Sequence, residues 1–292
     1  MSWSAWGFGG LAWLGVSLLS APSPEVLQSA PPTDQAPGDK SPNDEAPRDT
    51  DPSPSDPDQA PSEADQHWCA PELRRLELSC DDCAVCAFEL GSKEPTDTLV
   101  IFLHGVVKGD SGWQHNQQRA LVRAARANGF DLLAPRGRRG VGPKDMERWW
   151  TWPTRSALQA EHEPSLFLEW REARALLETG REAYKRVLLI GFSNGAYYAS
   201  SLALRGAFEA NGYATLAGGG ANYLEQRARG VKQRPPIYVG YGLKDTSARK
   251  DADGFGKLLK RLGWPHQVKA RPKVGHSMTD AQLAEALRFL RR

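Results

Sequence analysis

Residues 187–201, VLLIGFSNGAYYASS, set the terms on which this chain can fold. Four apolar residues, Val187, Leu188, Leu189 and Ile190, run into Gly191-Phe192-Ser193-Asn194-Gly195 and then into small and aromatic residues of helical character. An uninterrupted apolar run this short reads as a strand buried on both faces, and the glycines after it mark a sharp turn into a helix. Such a strand has to be covered above and below, so the segments around it must supply both further strands and helices.

They do so in alternation. Residues 98–103 (TLVIFL), 130–134, 213–217, 237–241 and 267–270 read as further strands, and residues 113–128, 166–179, 194–205, 222–229, 247–262 and 279–290 as helices. Ahead of them, residues 72–79 and 84–90 read as two short strands with a cysteine cluster at their turn. The pattern predicts an α/β fold, a mostly parallel central sheet with helices on both faces and an amino-terminal β-hairpin. Ligands of such sheets bind at the carboxyl ends of the strands.

The chain before this body has another composition. Eleven acidic and two basic residues fall in the first 66, so the formal charge of +2 divides into a leader near −9 and a body near +11. Residues 6–19 carry no charged side chain and end in Ser20 and Ala21, which predicts an export signal or amino-terminal anchor over residues 1–21. Residues 22–66 are dominated by Pro, Asp, Ala, Ser and Gln and cannot bury enough apolar surface to offset chain entropy. They predict an extended tether that holds a folded domain, residues 67–292, away from a membrane or envelope surface, so the expected location is extracytoplasmic. The basic body does not gather its Lys and Arg into an aromatic-interleaved stripe, and no nucleic-acid partner is expected.

Cys69, Cys80, Cys83 and Cys86 lie within eighteen residues. An even number at the edge of an exported domain predicts two disulfides, with three connectivities open. The alternative is a metal or iron–sulfur site, because C-x-x-C-x-x-C supplies three thiolates at ligand spacing.

A serine between glycines at a strand-to-helix turn is held with its hydroxyl out of the sheet and neighbours too small to block a substrate. It needs a base to take its proton and a third group to hold that base. Asp245 lies just past the 237–241 strand, and His276 lies in the loop after the last strand. The order Ser193, Asp245, His276 fits residues at the ends of successive later strands. Asp251 and Asp253 are rivals to Asp245, and His104, His115 and His266 to His276. No H-E-x-x-H or similar spacing occurs, so neither a catalytic metal nor another cofactor is expected.

With HGV at 104–106, GFSNG at 191–195, GLKD at 242–245 and GHS at 275–277, the body resembles the α/β-hydrolases, over about residues 97–290. It is most similar to the compact lid-less esterases. GFSNGA resembles the elbow of the polyhydroxybutyrate depolymerase and feruloyl esterase group and that of the phospholipase/carboxylesterase group. The resemblance implies a catalytic triad of Ser193, His276 and Asp245, and an oxyanion hole built from the backbone N–H groups of Val106 and Asn194. It also implies a serine hydrolase that cleaves a small-molecule or polymeric carboxylic ester through an acyl-enzyme. A peptidase or acyltransferase on the same triad, or a weakly catalytic module that binds an envelope polymer, are the alternatives.

The loop at 136–153 falls outside that pattern. Trp149, Trp150 and Trp152 are candidates for an aromatic or sugar-stacking pocket, or else cover the sheet edge. Arg136, with Arg138 and Arg139, is a candidate for binding a substrate carboxylate or phosphate, or forms a solvated turn.

Overall fold

The computed structural model describes residues 68–80, 82–91, 96–109, 112–220 and 222–292. The signal and tether expected over residues 1–66 lie outside the described residues.

The eight strands are β1 (Arg74–Arg75), β2 (Val85–Phe88), β3 (Thr98–Leu103), β4 (Asp131–Pro135), β5 (Arg186–Phe192), β6 (Gly212–Leu216), β7 (Ile237–Gly242) and β8 (His266–Arg271). They form one sheet in the order β1-β2-β4-β3-β5-β6-β7-β8. β1 and β2 pair antiparallel, β2 pairs antiparallel with β4, and every later neighbour is parallel. This is the α/β-hydrolase arrangement with an amino-terminal hairpin at one edge.

Between the strands run α1 (Trp113–Asn128), α2 (Ser156–Glu178), α3 (Asn194–Arg205), α4 (Glu225–Arg229, preceded by a 3₁₀ turn at Asn222–Leu224), α5 (Arg249–Arg261) and α6 (Asp280–Leu290). The apolar runs are continuous because the central strands are covered twice. Leu99, Ile101 and Leu103 of β3 face one core with Trp170, Tyr198, Leu202 and Phe255, from α2, α3 and α5. Val100 and Phe102 face a second core with Leu121, Leu188, Ile190, Leu283 and Leu287, drawing on α1 and α6. A leucine or phenylalanine fully buried in either layer contributes about 1.5–3 kcal/mol by leaving water. Thr279 caps α6 in a reciprocal capping box with Gln282.

Two elements differ from the sequence reading. β1 is two residues long rather than eight, because the chain leaves the sheet after Leu76. The Ser79 N–H and hydroxyl then both donate to Glu172 on α2, at 2.8 and 2.6 Å. Helix α2 begins at Ser156, ten residues before the expected start, and carries Pro164 within it. Its buried stripe contains Gln159, Glu163 and Glu169 as well as Leu166, Trp170, Ala173 and Leu177, so hydrophobic periodicity alone misses its first half. Glu169 accepts from Arg138 through one carboxylate oxygen. Gln159 donates to the Ser201 hydroxyl, and Glu163 accepts from Arg205.

The sheet order reverses around β3: the chain goes outward to β4 and returns to β5 on the other side. Crevices outside such a switch point are where α/β sheets bind ligands. The loop after β3 and the turn after β5 meet there.

Candidate active site

Ser193 sits at the turn from β5 into α3 with φ 50° and ψ −118°, a positive φ that a residue with a side chain seldom adopts. The turn is this tight because the backbone passes itself at close range. A Cβ on Gly191 would lie 2.2 Å from the Gly195 carbonyl oxygen, and one on Gly195 would lie 2.1 Å from that of Leu103. Both glycines of G-x-S-x-G are therefore required by packing, and together they present the Ser193 hydroxyl above the sheet.

His276 Nε2 lies 2.8 Å from Ser193 Oγ, and its Nδ1 lies 2.9 Å from Asp245 Oδ2. Asp245 is buried. Its second oxygen accepts from the Ser247 N–H at 3.1 Å, the Ser247 hydroxyl at 2.8 Å and the Ala248 N–H at 3.0 Å. Burial alone would raise this carboxyl, but the hydrogen bonds from Ala248, His276 and Ser247 outweigh it and hold Asp245 below the usual carboxylate range. The rivals are occupied elsewhere. Asp251 accepts from the Tyr197 hydroxyl at 2.7 Å, Asp253 pairs with Lys257, and His266 contacts the Trp264 carbonyl.

His104 is buried beneath the loop after β3. Its Nδ1–H donates to the Gly105 carbonyl and its Nε2 accepts the Gly137 N–H at 2.9 Å, which fixes a neutral tautomer. Burial, against the help of the Gly105 hydrogen bond and reinforced by the Arg136 charge, pushes its pKa down to about 4. The ring is thus a strut for the turn.

Around Ser193 the backbone amides are selectively used. Gly105 donates to Gln117 Oε1 at 2.9 Å, Val107 to the Trp150 carbonyl at 3.1 Å, and Gly195 to the His104 carbonyl at 3.1 Å. Among the described residues, the Val106 N–H has no hydrogen-bond partner. Asn194, as the first residue of α3, has no helical acceptor for its N–H. These are the two amides expected to face a developing oxyanion.

The tryptophan and arginine loop is placed differently from the substrate-binding expectation. Trp152 is 0% exposed, stacks on Tyr198 at 5.8 Å and donates its indole N–H to the His104 carbonyl at 2.9 Å. Trp150 is also buried, and Arg136, only 3% exposed, lays its guanidinium 3.9 Å from the Trp150 ring centre and pairs with Asp82. Burial removes these three from direct substrate contact, which corrects the expectation of a stacking pocket and an anion clamp. Trp149 is half-buried. The loop instead buttresses the turn after β3, because Trp150 and Val107 exchange two backbone hydrogen bonds.

Four further side chains, absent from the sequence reading of the site, support it. The Asn194 side chain accepts the Trp152 N–H at 2.7 Å. Ser247 holds Asp245 from two positions along the chain, a spacing at which Asp-x-Ser signals a side chain-to-backbone turn. Gln117 and Gln118 are polar residues on the buried face of α1, and their burial is the sign that they serve the loops above it. The four cysteines resolve into Cys69–Cys86 and Cys80–Cys83 disulfides.

The fold and the Ser193–His276–Asp245 geometry define a serine hydrolase of the α/β-hydrolase class. Residues 112–286 match the dienelactone hydrolase family, and the chain belongs to that family. No curated protein matches it in sequence. Among solved structures it is similar to a carboxylesterase from Mesorhizobium loti, at 20% identity over 74% of this chain and 98% of that one, with a TM-score of 0.53. S-formylglutathione hydrolase from Staphylococcus aureus aligns at 16% identity over 75% and 96%, with a TM-score of 0.53. Esterase PE8 aligns at 23% identity over 67% and 92%, with a TM-score of 0.51. These likenesses establish a shared fold.

Proposed function

We propose that this protein is an exported serine esterase that cleaves a small-molecule or polymeric carboxylic ester through an acyl-enzyme on Ser193. The observation that carries the reading is the unbroken relay from Ser193 Oγ to His276 Nε2 at 2.8 Å and from His276 Nδ1 to the buried Asp245 at 2.9 Å. Ser193 Oγ attacks the ester carbonyl carbon while its proton passes to His276 Nε2. The carbonyl oxygen becomes an oxyanion facing the amides of Val106 and Asn194. His276 returns the proton to the alkoxide oxygen, the C–O bond breaks, and the alcohol leaves an ester on Ser193. Water deprotonated by His276 attacks that ester, the acyl bond to Ser193 Oγ breaks, and His276 returns the proton to Oγ as the acid leaves. Asp245, kept ionised by its hydrogen bonds, orients the imidazole and stabilises the imidazolium.

The family name denotes hydrolysis of a lactone, which is an internal ester, and supports esters over other acyl derivatives. The GFSNGA elbow supports the narrower grouping with polyhydroxybutyrate depolymerases and feruloyl esterases. The apolar start and the acidic 22–66 stretch support export and tethering of the 67–292 domain. A panel of short-chain alkyl esters, hydroxyalkanoate esters, aryl-acid esters and their matching amides tests the reading. Turnover of esters well above the corresponding amides is expected. Amides cleaved as fast as esters would move the protein to the peptidases.

A further inference from the structure

The two disulfides lie in unlike settings. Cys69–Cys86 is internal: Cys86 is fully buried, Cys69 is half-buried, and Gln118 Nε2 donates to Cys86 Sγ at 3.6 Å. Cys80–Cys83 closes a span of only three residues, and Cys80 is exposed. It also lines a cleft of about 320 Å³ together with Leu168, Arg138 and Glu169. Leu168 is 62% exposed, and the buried Glu169 carboxylate has one oxygen on Arg138 at 2.6 Å and the other without a hydrogen bond. An exposed leucine, an exposed cystine residue and an unsatisfied carboxylate oxygen share one cleft.

From this cleft a chain of contacts reaches the candidate active site. Asp82, between the two cysteines, accepts from Arg136 through its carboxylate at 3.0 Å and its carbonyl at 3.1 Å. The same guanidinium covers the Trp150 ring at 3.9 Å. Trp150 exchanges two hydrogen bonds with Val107, at 2.9 and 3.1 Å, next to the free Val106 amide. The bridge between Cys80 and Cys83 fixes the backbone that holds Asp82 against Arg136.

We propose that Cys80–Cys83 is a thiol–disulfide exchange site for a dithiol reductant, and that its opening loosens the Asp82–Arg136–Trp150 support of the oxyanion loop. A thiolate of the reductant attacks Cys80 Sγ, the Cys80–Cys83 bond breaks, and the electron pair leaves on Cys83 Sγ, which takes a proton. The second thiolate of the reductant attacks the mixed disulfide, its own disulfide forms, and Cys80 is released and protonated. The protein gains two electrons and two protons, and the reductant loses them. The effect on catalysis rests on the esterase reading, whereas the exchange itself does not.

The test treats the oxidised full chain with dithiothreitol mixed with its oxidised form at graded ratios. Free thiols are alkylated and mapped, and Ser193 labelling by a fluorophosphonate is timed on the same samples. Cys80 and Cys83 should be alkylated together while Cys69–Cys86 stays closed. Labelling in that fraction should slow roughly tenfold, less than the roughly 10²–10³ that follows outright loss of one oxyanion donor. Alkylation of Cys69 and Cys86 first or simultaneously overturns the exchange site, and an unchanged labelling rate overturns the coupling. An oxidised protein that never labels overturns the esterase reading and the coupling with it, while the alkylation pattern still decides the exchange site. The Cys80→Ser/Cys83→Ser variant should label at the slow rate and ignore dithiothreitol. Should it fail to fold, Asp82→Ala removes the carboxylate contact to Arg136, keeps both disulfides and should be slow even when oxidised; a normal rate there overturns the coupling.

Discussion

The Asn194 side-chain oxygen accepts the Trp152 backbone N–H at 2.7 Å, so the residue that follows Ser193 ties the nucleophile turn to the loop at 136–155. Trp152 in turn donates its indole N–H to the His104 carbonyl, which also receives the Gly195 N–H. One small set of hydrogen bonds therefore fixes the elbow, the turn after β3 and the loop that covers both.

Asn194→Ala should destabilise the fold by about 1–3 kcal/mol, because it leaves a buried Trp152 N–H without an acceptor. Its backbone amide survives, so fluorophosphonate labelling should persist in the folded fraction. Denaturant unfolding followed by tryptophan fluorescence measures the first effect and labelling the second. A midpoint equal to the wild type would show that water replaces the carboxamide.

Asp245→Asn should lower kcat by roughly 10³–10⁴, the consequence of a base held in the wrong tautomer. Asp251→Asn keeps an oxygen that can accept from the Tyr197 hydroxyl and should cost far less. Ester hydrolysis by the two variants, assayed side by side, checks the order, and the reverse order would move the orienting role to α5.

The backbone at Ser193 stores strain that glycine would release. Ser193→Gly should be more stable than Ser193→Ala by about 1–2 kcal/mol, since only glycine takes φ 50° and ψ −118° without a steric cost. Thermal unfolding of the two inactive variants measures the difference. Equal melting temperatures would place the strain elsewhere.

Acid should weaken the fold through His104. Its pKa is about 4 in the folded protein against about 6.5 unfolded, so between those values the unfolded chain binds the proton and the folded one does not. Its contribution is fully present above pH 6.5 and is lost as pH falls toward 4, by about 3 kcal/mol in all. Asp245 acts in the same sense at lower pH: its lowered pKa gives stability that is lost as pH falls through the carboxylate range. In urea melts from pH 7 to 4, His104→Gln should show a shallower fall than the wild type; parallel curves would contradict the buried neutral ring.

The alternation of elements and the order Ser193, Asp245, His276 were legible because each lies where a strand ends and the chain must turn, and turns have strong residue signatures. Helix α2 was half hidden because its buried face uses Gln159, Glu163 and Glu169, whose partners are distant in sequence. Trp150, Trp152 and Arg136 keep two readings open in the sequence for a related reason: composition shows that an aromatic and basic loop has surface to bury, not which side buries it. The pairing of the four cysteines needed the geometry of β2, whose Cys86 points into the core and leaves Cys80 and Cys83 to close on each other.

The most direct test of the account is covalent labelling of the folded protein by a fluorophosphonate, with the modified peptide sequenced. A single adduct on Ser193 is expected, absent from Ser193→Ala and strongly slowed in His276→Ala. A wild-type protein that takes up no label, or a Ser193→Ala variant that labels as well as the wild type, would contradict it.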